Sequence, residues 1–310
     1  MIVYQGDPAD WETPEHGSAV AVGVFDGVHL GHQRVLEALL RSDRGLTRVA
    51  MTFGTHPAAV LAPDRAPPRL STLKRRFDLL EASGVERIAV LNFDEAMRNM
   101  TPAEFVDRFL VEGLNTRFVA VGTGFRFGRD ASGTTDTLAE LAERSGFGVE
   151  VVEIARRGDV EIRSTSIRER VESGDVERAA SMLGRPYEME GIVVPGDGRG
   201  HQLGVPTANV SYPAVLAVPL QGVYAVVLTV DGMDHDGVAN LGIRPTFDGS
   251  EPVLEVHVLD EDMDLYGRQV RVGFVGRIRD ERRFASVDDL LIQIRSDITT
   301  ARRLLGERTS

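Results

Sequence analysis

Ala19-Val20-Ala21-Val22-Gly23-Val24-Phe25-Asp26-Gly27-Val28-His29-Leu30-Gly31-His32 is the stretch around which the remaining sequence arranges itself. Its first residues alternate small and β-branched side chains, which predicts a strand buried on both faces. A helix follows at once, because Val35, Leu36, Leu39 and Leu40 recur at helical spacing and give one face to pack on a sheet. Between strand and helix lie Gly23, Gly27 and Gly31, with Asp26, His29 and His32 among them. A helix N-terminus presents unpaired N–H groups and about half a positive charge, and residues without Cβ let a phosphate approach closely. If the helix begins near His29, both imidazoles project from one side of its first turn, where they could stabilise charge on a triphosphate as pyrophosphate leaves. The plainer alternative is a Gly-rich turn whose histidines are solvated or bonded to local backbone.

The chain has 310 residues, enough for two domains, and its 42% hydrophobic content is that of a protein with real cores. A net charge of −12 argues against gripping nucleic acid or an anionic membrane. Without cysteine there is no disulfide framework, thiolate zinc site or cysteine nucleophile, so chemistry falls to His, Asp, Glu, Ser, Thr, Lys, Arg or bound metal. The N-terminal residues lack the charged and apolar regions of a leader, and no apolar run approaches about 18 residues. A cytoplasmic protein acting on small molecules, monomeric or weakly self-associating, is expected.

Strand and helix patterns alternate through the first half. Thr47–Phe53 reads as a strand ending in Gly54-Thr55-His56-Pro57, residues 73–83 as a helix, and Arg87–Leu91 as a strand. Thr101, Pro102 and Glu104 suit the N-cap, N1 and N3 positions of a helix that turns Phe105, Phe109 and Leu110 inward. Strands over 117–121 and 149–154 flank a helix over 137–144. This alternation predicts a doubly wound parallel sheet with ligands at the carboxyl ends of its strands. The loop Gly122-Thr123-Gly124-Phe125-Arg126-Phe127-Gly128-Arg129 could set Phe125 or Phe127 against an aromatic ligand plane and Arg126 or Arg129 against phosphate, although paired phenylalanines more often form a local cluster. In Arg163-Ser164-Thr165-Ser166-Ile167-Arg168, Ser164 and Thr165 can cap a helix and donate to phosphate, and Arg168 adds a planar fork of donors. A helical stretch then ends at Gly184 and Pro186, which suits a domain boundary.

From Gly191 onward, short β-type runs separated by glycine predict a compact β-barrel, closed by one amphipathic helix after Ser286 with Leu290, Leu291, Ile294 and Ile298 on its apolar side. The glycines around Gly198 could wrap a phosphate or form a hairpin. In Pro206-Thr207-Ala208-Asn209, a hydroxyl and an amide two residues apart point the same way from a strand, and both can orient Mg²⁺ and the phosphates it bridges. Alternation in Leu254-Glu255-Val256-His257-Val258-Leu259 sets Glu255, His257 and Leu259 on the face opposite Leu254, Val256 and Val258. A strand carboxylate beside a nucleotide site is a candidate general base for a primary alcohol.

Taken together these segments resemble the prokaryotic bifunctional riboflavin kinase/FAD synthetase family over nearly the whole chain. Residues 23–33 resemble its His-x-Gly-His nucleotidyltransferase signature, residues 162–168 its second phosphate-binding element, and residues 191–209 its kinase signature. The resemblance implies an FMN adenylyltransferase domain at 1–186 and a riboflavin kinase domain at 187–310. ATP would be bound by Gly23, Phe25, Gly31, His32, Ser164, Thr165 and Arg168 in the first and by Gly198, Thr207 and Asn209 in the second. His29, His32, Arg168 and Glu255 would be catalytic, with Glu255 accepting the ribityl 5′-hydroxyl proton. Thr207 and Asn209 would hold Mg²⁺, and Phe125, Phe127, Arg279 and Phe284 would meet the flavin, with FMN and FAD as product and substrate. The chain differs from the family pattern at Gly54, Arg163 and Gly124, the last standing where the family has Asp or Asn. An alternative reading therefore keeps the kinase alone, with a weak or lost adenylyltransferase.

Overall fold

The computed structural model describes all residues except 44, 197–199, 201–202, 247–248, 262 and 309–310, and the side chains of 243–252 and 308 are likewise not described. The described residues fall into two compact units, one of Met1–Pro67 with Leu73–Arg163 and the other of Pro68–Thr72 with Ser164–Ser310.

The first unit is a parallel sheet of six strands: β1 (Ile2–Tyr4), β2 (Ser18–Val22), β3 (Thr47–Phe53), β4 (Arg87–Leu91), β5 (Thr116–Gly122) and β6 (Gly148–Val152). Their order is β1-β4-β3-β2-β5-β6, so the chain winds outward from β2 in one direction, returns to β5 beside β2, and continues the other way. That reversal makes the carboxyl ends of β2 and β5 the topological switch point, the place where open α/β sheets bind ligands. Every residue of β2 is buried, 19–22 as their apolar run implies and Ser18 with its hydroxyl donated to the Leu114 carbonyl at 2.7 Å. Around the sheet lie α1 (Leu30–Arg41), α2 (Pro57–Leu61), α3 (Leu73–Ala82), α4 (Glu95–Asn99), α5 (Pro102–Phe105) and α6 (Thr135–Ser145). Thr101 and Glu104 form the expected capping box on α5, which continues as a wider π-type coil to Gly113 and buries Phe105, Phe109 and Leu110. A short hairpin, β7 (Arg156–Arg157) with β8 (Val160–Glu161), completes the unit; sequence periodicity gave no sign of it.

The second unit opens with α7 (Ser164–Glu172) and α8 (Val176–Leu183), and α8 stops at Gly184, whose φ of 77° is the left-handed conformation expected of a helix end. β9 (Tyr187–Val194), β10 (Ala208–Ser211), β11 (Gly222–Val230), β12 (Met233–Thr246), β13 (Gly249–Val258) and β14 (Gln269–Arg279) close into an antiparallel barrel in the order β10-β13-β12-β11-β14-β9. The terminal helix α9 (Val287–Arg308) packs Ala301 and Leu305 against Ala225, Val227 and Leu259. Leu259 is thereby buried, although strand alternation grouped it with the polar face. Pro68–Thr72 belongs to this unit because Arg69 donates its N–H to the Val215 carbonyl (2.6 Å) and accepts from Ala217 N–H (2.8 Å).

Candidate active sites

The turn after β2 is held in an uncommon shape. Phe25, Gly27 and Val28 have φ of 53°, 76° and 39°. Glycine takes such angles freely, but Phe25 and the β-branched Val28 do not, and a residue held there costs about 1–3 kcal/mol unless its surroundings compensate. The turn delivers His29 to the N-cap of α1, where its Nδ1 accepts the His32 N–H at 3.2 Å. With Nδ1 accepting that bond, the ring proton of His29 belongs on Nε2. His32 stacks on His29 with ring centroids 3.6 Å apart, as the three-residue spacing implies, and meets Phe25 edge-on at 5.2 Å. Burial, the facing His29 and the nearby Arg76 all hold the His32 imidazole well below its usual protonation range, so it is neutral at pH 7. Its Nδ1 is buried and has no hydrogen-bond partner among the described residues. Gly31 lets the chain pass close, since a Cβ would lie a tight 3.1 Å from the His29 ring and 3.3 Å from the Ile162 carbonyl. At Gly23 an added Cβ would crowd the buried Phe25 ring at 3.2 Å.

Beneath this turn lies a group that sequence reading missed. Arg76 of α3 is 1% exposed and donates to the Phe53 carbonyl at 3.0 Å, with the buried Asp26 carboxylate 4.0 Å away. In Lys74-Arg75-Arg76 nothing in the residue types singles out one for burial. Only the helical phase against the sheet does, and Arg76 shares its face with the buried Leu80.

Phe125 and Phe127 of the first unit pack against each other and their neighbours. Phe127 is buried against Phe105 (5.5 Å) and stacks on the half-buried Phe125 (5.2 Å), the local cluster raised above as the commoner arrangement. A Cβ at Gly124 would meet nothing within 4 Å. His56 caps α2, its Nδ1 accepting Ala58 N–H at 3.1 Å. Ser164, Thr165 and Arg168 lie in the first turns of α7 in the second unit; Thr165 is exposed and Arg168 is buried.

The barrel carries a cavity of about 890 Å³, within the range of small-ligand sites. Register builds its polar wall. Asn209 of β10 and Asn240 of β12 both pair directly with Glu255 of β13, so the carboxylate sits between two amides on one face, with Thr207 just ahead of β10 on the same cavity. Asn240 was not among the expected site residues; its signal was its place opposite Glu255, which no single segment reveals. The glycines nearby keep this wall open: a Cβ at Gly196 would lie 2.1 Å from Asn209 Nδ2, and one at Gly200 would lie 3.1 Å from Thr207 Oγ1. Gly198 lies outside the described residues. The hydroxyl, amide and carboxylate oxygens of Thr207, Asn209 and Glu255 are hard ligands of the kind Mg²⁺ takes. Among the described residues, no group of three His, Cys, Asp or Glu could hold a metal ion. Leu290, Ile294 and Ile298 of α9 add apolar surface to the same cavity. Arg279, expected beside a flavin, makes a two-pronged ion pair with the buried Asp297 of α9 (2.8–3.0 Å) and lies 5.7 Å from the Phe284 ring centroid.

Comparison with known proteins gives a consistent picture. A family model described as FAD synthetase matches residues 12–166, and one described as riboflavin kinase matches residues 183–305. The chain is 40% identical over 295 residues to a bifunctional riboflavin kinase/FMN adenylyltransferase from Pseudomonas fluorescens, covering 94% of each protein. The corresponding enzymes of Escherichia coli K12 and Bacillus subtilis are 39% and 38% identical, covering 95% and 90% of each chain. Among solved structures, a crystal structure described as a macrolide-efflux protein from Streptococcus pneumoniae superimposes with a TM-score of 0.90 at 31% identity, covering 97% of this chain and 99% of that one. No helix among the described residues here is long and apolar enough to cross a membrane.

Proposed function

Because the chain belongs to the bifunctional riboflavin kinase/FMN adenylyltransferase family, we propose an assignment of its two reactions to named residues. The protein phosphorylates riboflavin to FMN with ATP, and adenylylates FMN to FAD with a second ATP, releasing pyrophosphate. The FAD synthetase match over residues 12–166 favours both activities over a kinase alone.

In the kinase reaction the ribityl 5′-hydroxyl attacks the γ-phosphorus, its proton passes to the Glu255 carboxylate, and ADP leaves. The observation that carries this assignment is the register placing Glu255 between Asn209 and Asn240 on the cavity wall. Thr207 and Asn209 would hold Mg²⁺, which when bound neutralises phosphate charge. Phe284 and the apolar residues of α9 offer surface to the flavin ring, and Arg279 fixes α9 through Asp297. Catalysis by these residues is mainly positioning.

In the adenylylation reaction an FMN phosphate oxygen attacks the α-phosphorus of ATP and pyrophosphate departs, with no covalent enzyme intermediate. His29 and His32, as neutral donors at the N-terminus of α1, stabilise the charge that accumulates on the leaving phosphates. Phe125 offers the more accessible ring of its pair to FMN. We assign the two activities to residues 1–186 and 187–310 and the enzyme to the cytoplasm, acting as a monomer or weak homo-oligomer without nucleic acid or membrane.

The test is to incubate the purified protein with riboflavin, excess ATP and Mg²⁺ and to separate FMN and FAD by chromatography. FMN followed by FAD is expected, and chelation of Mg²⁺ should stop FMN formation. FMN without FAD would restore the kinase-only reading.

A further inference from the structure

The family's reaction does not by itself explain why a fully buried arginine sits under the histidine turn. A guanidinium cannot be deprotonated at any relevant pH, and an unpaired charge away from water is so unfavourable that a buried arginine persists only where its partners are fixed. Its partners include the Phe53 carbonyl at 3.0 Å, Thr52 Oγ1 at 3.5 Å and Asp26 Oδ1 at 4.0 Å. These three lie at the ends of two neighbouring strands. Thr52 and Phe53 end β3, while Asp26 lies in the turn that follows the adjacent β2. Thr52 passes the connection on, since its hydroxyl donates to the Val24 carbonyl at 2.8 Å. One cation therefore ties the end of β3 to the turn after β2 twice, directly through Asp26 and indirectly through Thr52 and Val24.

That turn needs an external tie. Phe25 and Val28 hold left-handed angles that neither residue prefers, and such conformations persist only where surrounding contacts over-determine them. If the turn relaxed, His29 would leave the N-cap of α1 and His32 would lose both its N–H bond and its ring stacking, because all three depend on where the turn ends. We infer that Arg76 is a positioning residue for FMN adenylylation: with Asp26 it clamps the strained turn that presents His29 and His32 to the triphosphate. The buried cation also helps to keep His32 in its neutral, donating form.

This inference rests on the assignment of the histidine turn as the adenylylation site, so its test includes His32→Asn. Steady-state kinetics of the full chain compare Arg76→Met, Arg76→Lys, Asp26→Asn and His32→Asn in FMN adenylylation. Riboflavin phosphorylation by the same samples reports whether the second unit is intact, and thermal unfolding followed by circular dichroism reports on the first. Arg76→Met and Asp26→Asn should lower the adenylylation kcat about 100-fold while leaving the KM for ATP and FMN nearly unchanged, as expected when reacting groups lose alignment but not affinity. Arg76→Lys, which keeps the charge, should recover much of the loss. A normal kcat in Arg76→Met, or a defect confined to KM, overturns the inference. Should Arg76→Met fail to fold, Asp26→Asn decides by the same two criteria, since it removes the charge at nearly constant shape. Full activity of His32→Asn would remove the site assignment itself, whereas loss in His32→Asn beside full activity in Arg76→Met and Asp26→Asn removes only the role given to Arg76.

Discussion

At the end of β2 the histidines and glycines of the candidate adenylylation site lie within residues 23–32, whereas on the barrel wall Thr207, Asn209, Asn240 and Glu255 come from separate segments and meet through strand register. The first arrangement depends on local backbone: a turn with left-handed residues, a helix N-terminus and a buried ion pair beneath it. The second depends on pairing, and a slip of one residue in β13 would turn Glu255 away from the cavity. A site of the first kind should fail when its turn is loosened, and one of the second kind when a wall residue or the helix closing the cavity is changed.

The largest expected effect is on the barrel side. Glu255→Gln keeps shape and pairing but cannot take a proton, so the kinase kcat should fall about 10²–10⁴-fold. FAD formation from supplied FMN should be unaffected. Measuring the two half-reactions on one sample checks this, and equal loss of both would break the comparison.

Next is the clamp on α9. Asp297→Asn weakens the charged hydrogen bonds to Arg279, and the expected loss is about 1.5–3 kcal/mol in the stability of the second unit, read from urea unfolding monitored in the barrel. The riboflavin KM should rise as Leu290, Ile294 and Ile298 lose their fixed place. An unchanged midpoint and KM would show that apolar packing alone holds α9.

A smaller effect is expected at Gly124. Since a side chain there meets nothing within 4 Å, Gly124→Asn should change stability by no more than about 0.5 kcal/mol and give a functional adenylyltransferase. The smallest effect is with pH. His32 is held neutral in the folded protein, whereas its unfolded form gains a proton below about pH 6.5. The unfolded state then binds more protons, so the contribution of His32 is complete above that value and declines as pH falls toward the depressed folded value. Thermal unfolding between about pH 7 and 5 should show the first-unit transition falling, less steeply in His32→Asn; equal slopes would contradict the neutral assignment.

Much of this was legible in the sequence, and the exceptions have a common cause. The strand at Thr47–Phe53, the capping box at Thr101 and Glu104, and the stop at Gly184 rest on neighbouring residues, and their signals are local. Arg76 could not be recognised, because its burial is set by how α3 lies on the sheet and its partners are distant in sequence. Asn240 was overlooked for the same reason: its role beside Glu255 exists only once β12 and β13 are paired. The Arg69 pairing with residues 215–217 likewise joins segments that carry no shared pattern. Arg279 was expected to meet the flavin through the family resemblance, but its pairing with Asp297 depends on where α9 packs.

The most direct test of two separately built sites on one chain is a crossed comparison of Glu255→Gln and His32→Asn, each given riboflavin or FMN with ATP and Mg²⁺ and analysed for FMN and FAD. The account predicts that Glu255→Gln forms FAD from FMN but little FMN from riboflavin, while His32→Asn forms FMN from riboflavin but little FAD from either substrate. Loss of both steps in either variant, or of neither in both, would contradict it.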